Sequence, residues 1–128
     1  MIVLTLEQLL EMHALVIAVT GGSTGLRDLG RLEAAIATQT QNVFGEELYS
    51  KIEDKAAAII RGIIGDHPFV DGNKRTAMLT GLTFLAVNGI NFAAKPGEIE
   101  DFAVEIATMH IDVPQISSWL QEHTVYNF

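Results

Sequence analysis

The chain has 128 residues, 48% of them hydrophobic, a size that supports one domain around one core and needs no linker. Sixteen acidic residues against eight basic ones leave a net charge of −8, which disfavours attraction to a phosphate polymer and argues against nucleic acid as a direct partner. There is no cysteine, which excludes a disulfide framework and a thiolate metal site and makes a reducing cytoplasm the expected home.

The N-terminal Met1-Ile2-Val3-Leu4 carries no basic flank, and Glu7 and Glu11 interrupt the apolar run that follows. Neither a signal peptide nor a membrane span is expected. Leu6, Leu9, Leu10, His13, Ala14, Ile17 and Ala18 recur at helical spacing, with Thr5 as N-cap and Gln8 completing a capping box. Gly21 to Gly25 ends this helix in a loop, and Asp28 caps a second one carrying Leu29, Leu32, Ala35 and Ile36. Gln39 to Tyr49 has no clear period and contains Phe44-Gly45, so it reads as a surface segment able to cover a site. Ser50 with Glu53 predicts a capping box for a third helix, built on Ile52, Ala56, Ile59, Ile60 and Ile63 and running to Asp66.

After the run His67 to Gly72, Lys74 to Asn88 continues as a helix apolar on most of its circumference, which predicts a central buried helix stopped by Gly89. Ile90 to Phe92 reads as a short extended stretch and Pro96-Gly97 as a turn. Glu98 to Met109 and Pro114 to His123 read as two amphipathic helices. The pattern is all-α, one domain over residues 1–128, with no internal repeat.

The chemistry concentrates in His67-Pro68-Phe69-Val70-Asp71-Gly72-Asn73-Lys74-Arg75. Pro68 fixes the turn, Gly72 permits backbone that a side chain forbids, and the helix that follows offers unpaired N–H groups and a positive dipole end to an anion. Cations at a helix start oppose the dipole, so Lys74 and Arg75 there point to an anionic ligand, lysine as a point charge and arginine as a fork. His67 is the candidate general base, since its side chain titrates nearest neutrality; the alternative is a histidine that caps the preceding helix. Asp71 is a hard oxygen ligand with no second carboxylate nearby, which suits Mg²⁺ shared with a nucleotide's phosphates; a loop-capping aspartate is the equal alternative. Asn73 offers its amide to a phosphate or to the loop backbone. Phe69 is expected to anchor the loop in the core. His13, His110 and His123 sit in helical patterns without clustered ligands and are expected to be structural.

His67 to Thr76, HPFVDGNKRT, resembles the signature HPFx(D/E)GN(G/K)Rxx(R) of the Fic/Doc superfamily. Gly21 to Ala35 and Leu82 to Ile90 resemble the segments before and after that motif in its death-on-curing branch, so the likeness covers nearly the whole chain. Lys74 stands where the adenylylating members have glycine and Met78 where they have a second arginine; both departures are those of the death-on-curing branch. The resemblance implies a compact helical Fido fold and a toxin that moves phosphate from Mg-ATP to a Ser or Thr hydroxyl of a target protein, with elongation factor Tu the implied target. It assigns His67 as base, Asp71 to Mg²⁺, and Gly72, Asn73, Lys74 and Arg75 to the nucleotide's phosphates. It also implies an antitoxin protein whose C-terminal segment docks on the toxin. Transfer of AMP or another nucleotidyl group, or an idle antitoxin-binding module, are the rival expectations. Ser118 to Glu122 partly resembles the (S/T)xxxE(G/N) inhibitory helix of some members, but His123 departs from its last position and an ordinary terminal helix is expected.

Overall fold

The structure, a computed structural model, describes residues 1–125. Helix α1 (Leu6–Thr20) starts where expected: the Thr5 hydroxyl accepts from the Gln8 N–H while the Gln8 side chain accepts from the Thr5 N–H. Asp28 likewise caps α2 (Leu29–Ala37) by accepting from the Arg31 N–H. The next segment is a hairpin, β1 (Asn42–Val43) antiparallel to β2 (Glu46–Glu47), with Phe44 and Gly45 at its tip. Helix α3 (Ile52–Asp66) departs from expectation at its first turn. Lys51 is the N-cap and no side chain caps it, so Ser50 lies one residue too early to reach the N–H groups it was expected to satisfy.

Helix α4 (Asn73–Val87) follows the motif, and α5 (Glu98–Met109) and α6 (Val113–Glu122) complete the set. A second ribbon pairs β3 (Asn91–Phe92), inside the extended stretch expected at Ile90 to Phe92, with β4 (Thr124–Val125), a pairing outside the sequence expectation. The two-residue β4 carries too little alternation to be read from sequence. Helix α6 also has a capping box, Asp112 with Gln115, that places its start one residue before the expected Pro114.

The centre of the molecule is shared by α3 and α4. Ala56, Ala57, Ile59, Ile60, Ile63 and Ile64 of α3 meet Ala77, Met78, Phe84 and Leu85 of α4, with Leu32 and Ala35 of α2 and Ile116 and Leu120 of α6 closing the core. Each large side chain among them contributes about 1.5–3 kcal/mol by leaving water. Gly81 lets α3 and α4 approach closely, for a Cβ there would collide with the Ile60 side chain. Gly81→Ala would therefore overpack the pair, at a cost of roughly 1–3 kcal/mol. The outcome is a rigid two-helix axis whose ends carry the motif: α3 delivers His67 and α4 receives Asn73, with the loop 67–72 between them.

Candidate active site

The last turn of α3 has no basic residue of its own, and its C-cap is His67 in left-handed backbone, φ 47° and ψ 59°. That conformation costs a residue bearing a side chain about 1–2 kcal/mol. Arg27 offsets the cost from outside the helix. Its Nη2 donates to the Asp66 carbonyl at 2.6 Å and its Nε to the His67 carbonyl at 2.7 Å, while Arg31 Nη1 donates to the Asp66 carbonyl at 3.2 Å. The arginines thus satisfy the helix carbonyls that His67 was alternatively expected to cap. The His67 side chain is left exposed and free for chemistry.

The loop is held along its length by the segment 22–28. Arg27 N and Asp28 N donate to the Pro68 carbonyl at 2.7 and 2.9 Å, Leu26 bridges Phe69, and Val70 N donates to the Gly25 carbonyl at 3.1 Å. At the far end Ser23 N donates to Asp71 Oδ2 at 3.2 Å, and Gly22 passes so close that a Cβ would stand 2.7 Å from that oxygen. A glycine is needed at position 22 for this contact.

Phe69 is 1% exposed, as expected of an anchor. Its partner was not expected. His13 of α1 stacks on it at 3.9 Å and 5°, and His13 Nε2 lies 2.9 Å from the Asp71 carbonyl, to which it donates in the matching tautomer. His13 is buried and structural, but its task is to brace the motif. Nothing in its helical spacing betrays that, because the partner lies 58 residues away.

Asn73 was expected to offer its amide to a phosphate or to the loop backbone, and it serves the backbone. Its Oδ1 accepts from Phe69 N and its Nδ2 donates to the Phe69 carbonyl, both at 3.0 Å. A bidentate bond of that kind shapes the loop and leaves one N–H for any ligand. Gly72, at φ 75°, is the N-cap of α4, and no side chain caps that helix. The first-turn N–H groups of α4 therefore stay open, with the exposed Lys74 and Arg75 beside them. Asp71 is exposed; its Oδ1 accepts from Gly72 N at 2.9 Å, and each carboxylate oxygen keeps a lone pair for a cation. Among the described residues no three acidic or histidine side chains gather as a metal site. Asp71 therefore fits a Mg²⁺ that takes its remaining ligands from phosphates and water.

Lys74 and Arg75 also line a cavity of about 610 Å³ between the end of α1, α4 and α5, whose wall is otherwise mostly apolar: Met78, Leu79, Leu82, Ile99 and Val104 contribute, with Glu100 at its rim. This volume suits a small ligand or a peptide segment. The sequence reading missed it, because its walls come from three helices that only packing brings together.

The Fic/DOC family profile matches residues 3–85. The chain is 40% identical over 102 residues to Toxin Doc of Mycolicibacterium smegmatis, covering 78% of each sequence. It is 36% identical over 115 residues to Protein kinase doc of Escherichia phage P1, covering 90% of each.

Proposed function

The chain belongs to the Fic/Doc family, and we propose that it is a toxin that transfers the γ-phosphate of Mg-ATP to a Ser or Thr hydroxyl of a target protein, with elongation factor Tu the target implied by the resemblance. The observation that carries this reading is the uncapped first turn of α4, with Lys74 and Arg75 exposed at its positive end and the exposed His67 at the other end of the same braced loop.

His67 accepts the proton of the target hydroxyl as its oxygen bonds to the γ-phosphorus, and the bond from that phosphorus to ADP breaks. Lys74, Arg75 and the N–H groups of the first turn hold the phosphate oxygens where charge develops. Asp71 would hold Mg²⁺ together with the nucleotide, and the ion would supply charge neutralisation there. Asn73 acts by holding the loop in shape. Lys74 in place of a glycine adds bulk and charge beside the phosphates, which favours presenting the γ-phosphate over an open nest for nucleotidyl transfer. The names of the two relatives, one a toxin and one a protein kinase, point the same way.

The antitoxin partner implied by those names has a natural seat in the cavity between α1, α4 and α5. An amphipathic segment laid there would bring side chains against Lys74 and Arg75 and compete with phosphate.

The test is incubation of the protein with γ-labelled or α-labelled ATP and a cell extract. Label should pass to protein from the γ position only, and His67→Ala should abolish it. Transfer from the α position would make the chain a nucleotidyltransferase, and no transfer from either would leave the idle antitoxin-binding module.

A further inference from the structure

The sequence reading gave Arg27 no role, and the reaction just described does not use it. Its guanidinium nevertheless makes the two shortest side-chain contacts to the backbone that carries His67: Nε to the His67 carbonyl at 2.7 Å and Nη2 to the Asp66 carbonyl at 2.6 Å. These are successive carbonyls at a helix end, and the second belongs to a residue held at φ 47°. A planar fork with fixed N–H directions can bind both at once, whereas an ammonium meets them as a single point. Arg27 is itself fixed, since its own N–H donates to the Pro68 carbonyl at 2.7 Å and Leu26 bridges Phe69. The arginine therefore ties the Gly21–Gly25 side of the loop to the one residue whose direction matters most for proton transfer.

We propose that Arg27 is a positioning residue for His67, fixing by its two-carbonyl fork the left-handed turn from which the imidazole projects. The proposal rests on His67 being the base of the phosphotransfer reaction. On this proposal Arg27 acts through the base it holds and not on nucleotide or target. Its loss should therefore lower kcat and leave ATP affinity alone, a division that general loss of folding would not produce. Of the two carbonyls Arg31 reaches only that of Asp66, at the longer distance of 3.2 Å, and its Nε pairs instead with the Asp28 carboxylate at 3.2 Å, so it serves as the control.

The test compares Arg27→Ala, Arg27→Lys and Arg31→Ala in the full chain for kcat, KM for ATP and for target, thermal midpoint, and amide hydrogen exchange at His67, whose N–H donates to the Ile63 carbonyl at 3.2 Å. Arg27→Ala should lose roughly 10- to 100-fold in kcat, the scale set by small misplacements of a catalytic group, with KM for ATP within about 2-fold. Arg27→Lys should recover only part of kcat, added guanidinium should restore part of it to Arg27→Ala, and Arg31→Ala should stay within about 3-fold. Exchange at His67 should quicken in Arg27→Ala while the amides of Ile59 and Ile60 keep their protection. Unchanged kcat in Arg27→Ala overturns the proposal, as does a loss carried by KM for ATP, which would make Arg27 a ligand contact. If the wild-type protein transfers no phosphoryl group, the reaction reading falls, and the exchange measurement alone decides whether Arg27 holds the turn.

Discussion

Among the described residues, left-handed backbone occurs at three that carry side chains, Phe44, His67 and His110. At His67 the arginine fork offsets the cost. At Phe44 no contact does so: the ring is fully exposed at the hairpin tip, with Gly45 beside it at φ 82°. Two successive positive φ values make this a turn for which Asn-Gly is the preferred pair, so an exposed phenylalanine there is retained against local preference. With Val43 and Leu48, each 45% exposed, it forms an apolar patch on the segment read as able to cover a site. Phe44→Asn should keep or raise the thermal midpoint while weakening modification of the protein target, with ATP affinity unchanged. A drop in ATP affinity matching the loss of modification would remove the hairpin from target recognition. Thr76 gives a second residue-scale prediction. It is fully buried and its hydroxyl has no partner among the described residues, so Thr76→Val should raise stability by about 1 kcal/mol, the desolvation cost of an unpaired polar group. A destabilised variant in urea titration would mean the hydroxyl has a partner in solution.

At the scale of elements, the hairpin is tied to α3 by a buried cation. Lys55, 1% exposed, donates from Nζ to the Gln39 carbonyl at 2.7 Å and pairs with Glu47 at 3.3 Å. The base of the hairpin is thereby anchored while its tip stays free. A second tie joins α5, α6 and the β3–β4 ribbon through His123, whose Nδ1 faces the Trp119 carbonyl at 2.8 Å and whose Nε2 faces Glu98 Oε2 at 2.7 Å. Both neighbours are acceptors, so only the protonated ring satisfies both. The bond to Glu98, then that to the Trp119 carbonyl, raises the His123 pKa above its ordinary 6.5. The same bond to His123, then the Lys95 N–H, lowers the Glu98 pKa below 4.5. Because the histidine value is raised on folding, its contribution is fully present below pH 6.5 and fades as pH rises through the raised value. On the acid side the Glu98 contribution is present above pH 4.5 and fades as pH falls through the lowered value. Thermal midpoints at about pH 6 and about pH 9 should thus differ more in the wild-type protein than in His123→Gln. An equal difference in both would assign the pH dependence elsewhere.

For the whole molecule, an overall charge of −8 coexists with a cationic helix start. Binding there must be local, since the long-range field repels anions. A ligand that binds only the folded chain stabilises it by about 2.7 kcal/mol at a hundredfold excess over Kd. Mg-ATP should therefore raise the thermal midpoint by several degrees, and the double change Lys74→Ala with Arg75→Ala should abolish the rise. Asp71→Asn should make the rise independent of Mg²⁺. A full shift in the double variant would place the nucleotide elsewhere, and an undiminished Mg²⁺ effect in Asp71→Asn would free Asp71 from the metal.

Much of this protein was readable along the chain. Helix spacing, the Thr5 and Asp28 caps and the run His67 to Arg75 are local signals, set by side-chain periodicity and by backbone hydrogen bonds within a few residues. The capping box at Ser50 failed on the same local grounds, because the register of α3 is set by burying Ala56, Ile59, Ile60 and Ile63 and not by its first turn. Other features belong to packing alone. Arg27 on the α3 carbonyls, His13 against Phe69, and Asn73 turned inward each join residues through contacts that no periodicity encodes. The sequence by itself determined which residues make up the motif that the proposed chemistry calls on. The tertiary structure decided which of them face outward and which hold the others in place, because that choice depends on which buried polar groups find partners across the fold.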